Sequence, residues 1–135
     1  MSVGALAGRW LLPCVLAVSA LLAPAKGRAA PPPAAAAVEI DRLISALADS
    51  GCEFQRNGRW YDAGRAQSHL RRKLDWLVER DMVASAEQFI ERAATRSSVS
   101  GRAYQVRCPN RPAEPSATWL RRALEGIREP TPPSR

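Results

Sequence analysis

Hydrophobic and polar positions along this chain follow two alternating periods. Ile40, Leu43, Ile44 and Leu47 recur three and four residues apart. That spacing lines one face of a helix, and a first helix is expected over 38–50. Glu39 and Asp41 fall in its expected first turn, where the helix dipole favours negative charge. Gly51 lies just past its end, where a left-handed residue suits a helix terminus.

At Cys52 the period changes to two. Cys52, Phe54 and Arg56 share one face of an expected strand, and Glu53 and Gln55 share the other. Asn57-Gly58 follows, the pair that best tolerates positive φ at both centres of a hairpin turn. The strand returns through Arg59, Trp60 and Tyr61. Two strands alone are marginal, so a third strand or a covering helix is required. Arg102 to Cys108 supplies the strand, with Tyr104, Val106 and Cys108 alternating against Gln105 and Arg107. Pro109, Pro112 and Pro115 then end it.

The helical period resumes after Asp62, a good N-cap. Ala66, Leu70, Leu74 and Leu77 form the core stripe of a helix over 63–79. His69 and Lys73 flank that stripe as surface neighbours. Arg71-Arg72-Lys73, with Asp75 and Glu79 nearby, reads as an ordinary solvated face. Ser85 and Gln88 have capping-box spacing and open a third helix with Phe89, Ile90 and Ala93 inward. Thr95 to Gly101 is a loop rich in short hydroxyl residues. Ser116 is expected to cap a last helix reaching about Arg128, with Trp119, Leu120, Ala123, Leu124 and Ile127 inward. The expected fold class is α+β: a small three-stranded antiparallel sheet packed against about four helices, in a single domain over 38–129. A disordered tail is expected over 130–135.

The first third of the chain has a different composition. Arg9 precedes an almost wholly apolar run from Trp10 to Ala23, and small residues follow. This is the order of a secretory signal peptide, expected over 1–29, with cleavage after Ala29 or, alternatively, after Ala25. The apolar run contains Pro13 and is shorter than the roughly 20 residues a spanning helix needs. No stable membrane span is expected after cleavage, and the expected location is periplasmic or secreted. Residues 30–37 read as a Pro/Ala-rich linker. Cleavage removes Cys14 and leaves Cys52 and Cys108. In an exported small domain this pair reads as one disulfide, against the alternative of two separate thiols. The spacing is not that of a redox C-x-x-C motif.

Losing Arg9, Lys26 and Arg28 with no acid takes the net charge from +7 to +4. Lys73 is then the only lysine left. Arginine, alanine and proline share GC-rich codons, so the bias is assigned to genome composition rather than to a nucleic-acid patch. The export signal also argues against a nucleic-acid partner. An envelope protein or a cell-wall component is the kind of partner expected.

Candidate chemistry is sparse. His69 is the only histidine, and no G-x-S-x-G elbow accompanies it. One histidine and two distant cysteines give no metal signature, so neither a metal nor a cofactor is expected. Ser97, Ser98 and Ser100 offer either a backbone anion nest or ordinary hydroxyl turns. Trp60, Trp76 and Trp119 are assigned to the core rather than to a sugar-stacking surface.

Several short motifs occur in order: Phe54-Gln55-Arg56-Asn57-Gly58, His69-Leu70 with Lys73-Leu74, and Ala86-Glu87-Gln88-Phe89-Ile90. Ser97-Ser98-Val99-Ser100-Gly101 with Tyr104, and Trp119-Leu120, complete the set. Together they resemble the YfeK-like family of small exported bacterial proteins, which carry a domain of unknown function. The resemblance implies a Gram-negative periplasmic protein and brings no catalytic residue with it. The leading reading is therefore a non-enzymatic binding or interaction module. Its candidate binding residues are Asn57, Gly58, His69, Ser98, Ser100 and Tyr104. The alternative is a small cell-envelope hydrolase using His69 with a serine of the 97–100 loop.

Overall fold

The structure is a computed structural model that describes residues 29–130, together with Met1 and Gly4. The expected signal peptide otherwise lies outside the described residues, as does the tail from Thr131.

Helix α1 spans Ala34–Ala48, starting four residues before the expected Val38. Nothing between Pro33 and Val38 breaks a helix, and alanine is the best helix former. Pro33 stands at the N-cap, where its carbonyl accepts from the Ala37 N–H at 3.0 Å. The linker is thereby shortened at its C-terminal end. Glu39 and Asp41 consequently fall beyond the first turn, and they pair instead with Arg128 at 2.8 Å and Arg71 at 2.6 Å.

Strands β1 (Glu53–Arg56) and β2 (Arg59–Tyr61) form the expected hairpin. Asn57 and Gly58 have φ of 50° and 80°, the positive pair that a type I′ turn needs. Strand β3 (Gln105–Arg107) pairs antiparallel with β1, with Phe54 opposite both Tyr61 and Val106. The sheet has a fourth strand beyond the expected three. The chain turns at Asn110 (φ 60°) and returns as β4 (Glu114–Pro115) beside β3, giving the order β2-β1-β3-β4. A proline lacks the N–H that an inner strand would donate, which suits Pro115 to this short edge.

Cys52 and Cys108 are joined in a disulfide, with their Cα atoms 4.3 Å apart. They flank the Glu53–Arg107 pair at one end of the β1–β3 ladder.

Helix α2 (Ala63–Val78) is capped as expected: the Asp62 side chain accepts from the Arg65 N–H at 2.8 Å. The third helix divides into α3 (Ala86–Phe89) and a π-helical turn over Ile90–Ala94. Ser85 caps it by accepting from the Gln88 N–H, and Thr95 donates back to the Ile90 carbonyl at 2.9 Å. Helix α4 spans Ser116–Arg128. Ser116 is its first residue rather than its cap; Pro115 holds that position, and the Ser116 N–H donates to the Tyr104 carbonyl at 2.9 Å.

The core lies where α1, the π-turn and α4 cover the sheet. Ile40, Leu43, Ile44, Phe89, Ile90 and Leu120 are fully buried there, with Val106 from β3 beneath them. Trp119 packs edge-on against Phe54, with ring centroids 5.9 Å apart. Trp76 is not core: it is 49% exposed, and the Arg80 guanidinium stacks over it at 4.2 Å. It lies off the Leu70–Leu74–Leu77 stripe of its helix. Among the described residues, no helix is long and apolar enough to cross a membrane.

Candidate functional site

A cavity of about 510 Å³ opens between β1 and α2. Its apolar floor includes Leu47 from α1, Phe54 from β1 and Leu70 from α2. Its polar wall includes Arg56, His69 and Tyr104.

Each wall residue follows from local structure. Arg56 ends β1 on the face that carries Phe54, so pleat parity turns it toward the helices rather than to solvent. His69 sits one residue before the buried Leu70, at the edge of the stripe of α2. Tyr104 precedes β3 and is buried; its N–H donates to the Thr95 carbonyl at 3.0 Å.

These side chains form one hydrogen-bonded cluster. An Arg56 terminal guanidinium nitrogen, Nη1, lies 2.9 Å from His69 Nδ1. Arginine only donates, so Nδ1 accepts and the imidazole proton sits on Nε2. Nε2 then faces the Tyr104 hydroxyl at 3.4 Å, and Lys73 Nζ donates to the same oxygen at 3.5 Å. The Lys73 ammonium also lies over the Tyr104 ring at 5.3 Å, and the Arg56 guanidinium lies over Tyr61 at 5.5 Å.

The electrostatics follow from burial among cations. Burial is the main cause that lowers His69 to about 4, and the positive charges of Arg56, Lys73 and Arg72 act in the same direction. His69 is therefore neutral at neutral pH. Burial also lowers Lys73, with Arg56 adding to it. Burial raises the Tyr104 phenol, against the opposing charge of Arg56 and a hydrogen bond from Ser97. Among the described residues, neither Arg56 nor Lys73 has a carboxylate within ion-pair distance.

A family of unknown function, DUF5329, matches residues 34–128. The chain belongs to this family. It is also 39% identical over 66 residues to the uncharacterized protein YfeK of Salmonella typhimurium. That match covers 48% of this chain and 53% of YfeK, so the chain spans about half the length of this curated relative. No solved structure matches the chain.

Within this DUF5329 domain the expected binding residues divide into two groups. His69 and Tyr104 meet in the cavity wall. Asn57, Gly58 and Ser100 meet elsewhere, at the hairpin tip. There Ser100 Oγ donates to Asn57 Oδ1 at 2.5 Å, and the Arg102 guanidinium lies alongside Gly58. Ser98 is exposed on the loop outside both groups. The serine loop closes on itself: Ser97 Oγ accepts from the N–H groups of Val99 and Ser100, each at 3.3 Å. Those two amides are therefore not free to line an anion nest, and the ordinary hydroxyl turn describes the loop.

Arg56 is absent from the expected set, although its shared face with Cys52 and Phe54 carried the signal. The run Arg71-Arg72-Lys73 is not one solvated face. Arg71 pairs with Asp41, Arg72 borders the cavity, and Lys73 folds onto Tyr104. Consecutive helical residues point about 100° apart, so three adjacent cations are sent to three places.

Proposed function

We propose that this chain is a non-enzymatic binding module of the bacterial envelope, exported through its N-terminal apolar segment, with the β1–α2 cavity as its site. The observation that carries the reading is the group Arg56, His69 and Tyr104 in the cavity wall over an apolar floor, with Lys73 donating to the Tyr104 hydroxyl. Small-molecule sites combine a mostly apolar lining with a few convergent polar groups in this way. The Cys52–Cys108 disulfide fits an oxidising compartment, and an envelope protein or cell-wall component is the partner class that fits such a location.

The hydrolase alternative is weaker on geometry and on basicity. A general base works best with a pKa near the operating pH, whereas His69 is lowered to about 4. Its Nδ1 is occupied by Arg56, and the buried Ser97 hydroxyl already accepts from two amides of its own loop.

Native mass spectrometry of oxidised protein recovered from the periplasm tests the proposal, with Ser68→Trp as the comparison. Ser68 is an exposed residue at the cavity rim, so tryptophan there obstructs the mouth without entering the core. The expected result is a cleaved chain carrying a reproducible adduct that the folded Ser68→Trp protein lacks. A cleaved chain without adduct that degrades envelope material only while His69 is intact would replace the binding reading with the hydrolase one.

A further inference from the structure

We infer that the cavity takes an amphipathic organic anion, its carboxylate or phosphate head on Arg56 and its apolar body along Leu47, Phe54 and Leu70. This rests on the binding reading above and names the class of ligand.

The charges that line the cavity point to a negative guest. Six arginines pair with carboxylates: Arg71, Arg80, Arg107, Arg121, Arg122 and Arg128. Nine others among the described residues have no carboxylate partner, and three of these, Arg56, Arg65 and Arg72, line the cavity. The one acid in the lining, Asp62, is already engaged as the N-cap of α2. The lining therefore holds three arginines against one carboxylate, a net positive charge at a concave surface. Concave sites lined by one sign of charge concentrate ligands of the opposite sign.

Arg56 is also held ready for such a head. Its guanidinium lies over the Tyr61 ring, and Nη1 donates to His69. One of its five donors is used in that bond, and the fork geometry of the rest suits two oxygens of a carboxylate or phosphate. His69, being neutral, accepts from Arg56 and orients it without adding a competing charge. The floor sets the second requirement. Leu47, Phe54 and Leu70 offer nothing to a small inorganic anion but favour a hydrocarbon body. The volume of about 510 Å³ is that of a small-molecule site.

The test titrates the full oxidised mature chain with four probes: decanoate, decyl phosphate, decanol and inorganic phosphate. Calorimetry gives the affinities, and melting curves confirm that each variant is folded. Decanoate, decyl phosphate or both are expected to bind at least about tenfold more tightly than decanol, the size of one charge-assisted hydrogen bond. Their ranking distinguishes a carboxylate source from a phosphate one. Arg56→Gln is expected to remove that advantage, and Arg56→Lys to restore only part of it. If Arg56→Gln does not fold, Arg65→Gln and Arg72→Gln, both at exposed positions, are expected to weaken the anionic probes severalfold and leave decanol unchanged. Decanol binding as tightly as decanoate would reduce the cavity to an apolar slot and overturn the inference. Inorganic phosphate matching decyl phosphate would remove the role of the floor and overturn it equally. If no probe binds but the periplasmic protein still carries an adduct that Ser68→Trp lacks, the ligand class is wrong and the binding module stands.

Discussion

His69 is a neutral imidazole because burial disfavours its charged form and the charges nearest it are positive. Arg56 reaches it from β1, Lys73 and Arg72 from its own helix, and the Tyr104 phenol faces its other nitrogen. It is the only histidine in the chain. A proton NMR titration of its ring is therefore unambiguous, and the midpoint is expected near 4. In Arg56→Met the midpoint should rise, yet remain below the ordinary 6.5 because burial is the larger cause. A midpoint at 6.5 in the parent protein would dissolve the cluster. The same shift links stability to pH. The unfolded chain binds this proton near 6.5 and the folded chain only near 4, so the unfolded state holds more protons between those values. Stability from this group is complete above about pH 6.5 and declines as pH falls toward about 4. Partial solvent access trims the amount to about 1–2 kcal/mol. Urea melts at a series of pH values should show this decline, and His69→Phe should flatten that part of the curve. At this scale His69 and Tyr104 were legible as an isolated histidine and an inward strand residue. Lys73 was not, because sequence neighbours on a helix look alike until the tyrosine that claims one of them is placed.

The hairpin was the most legible element, since Asn57-Gly58 leaves the backbone few alternatives. Gly58 has φ +80°, and a Cβ there would meet the movable Arg102 guanidinium at 3.6 Å, an ordinary contact. The cost of Gly58→Ala is therefore conformational rather than steric. It is expected to be about 1 kcal/mol, read as a fall in melting temperature of about 4–8 °C for a domain of this size. No change in melting temperature would mean that the turn relaxes to another type. β4 escaped the sequence because a two-residue strand shows no period, and its proline argues against pairing. It forms because Pro115 needs no donor on the open edge of β3. The early start of α1 was hidden for a different reason: an alanine run has no amphipathic pattern, and the prolines before it mask its helix propensity. The π-turn has no sequence signal that we can identify.

Across the whole molecule, the register of β1 against β3 decides whether the cavity exists. The ladder pairs Glu53 with Arg107 and Gln55 with Gln105. Continued by one step each way, it sets Cys52 opposite Cys108 and Arg56 opposite Tyr104. The disulfide thus closes one end of the ladder and the Arg56–His69–Tyr104 cluster the other. A slip of one residue would turn Tyr104 to the opposite face and take the phenol away from His69. Two devices hold the register: the disulfide, and the burial of Phe54 and Val106 between its ends. Their contributions separate in Cys52→Ala/Cys108→Ala. Opening a loop with a sequence separation of 56 should cost about 2–4 kcal/mol, measured as a lower urea midpoint. The packed Phe54–Val106 pair remains, so the folded fraction should keep its register. The His69 midpoint of that variant, titrated where it is still folded, should stay near 4. Were it to return toward 6.5 while the protein remained folded, the disulfide itself would be what holds Tyr104 and Arg56 to the histidine. The cavity would then be a property of the oxidised protein alone, and the proposed anion would be expected to bind only in an oxidising compartment.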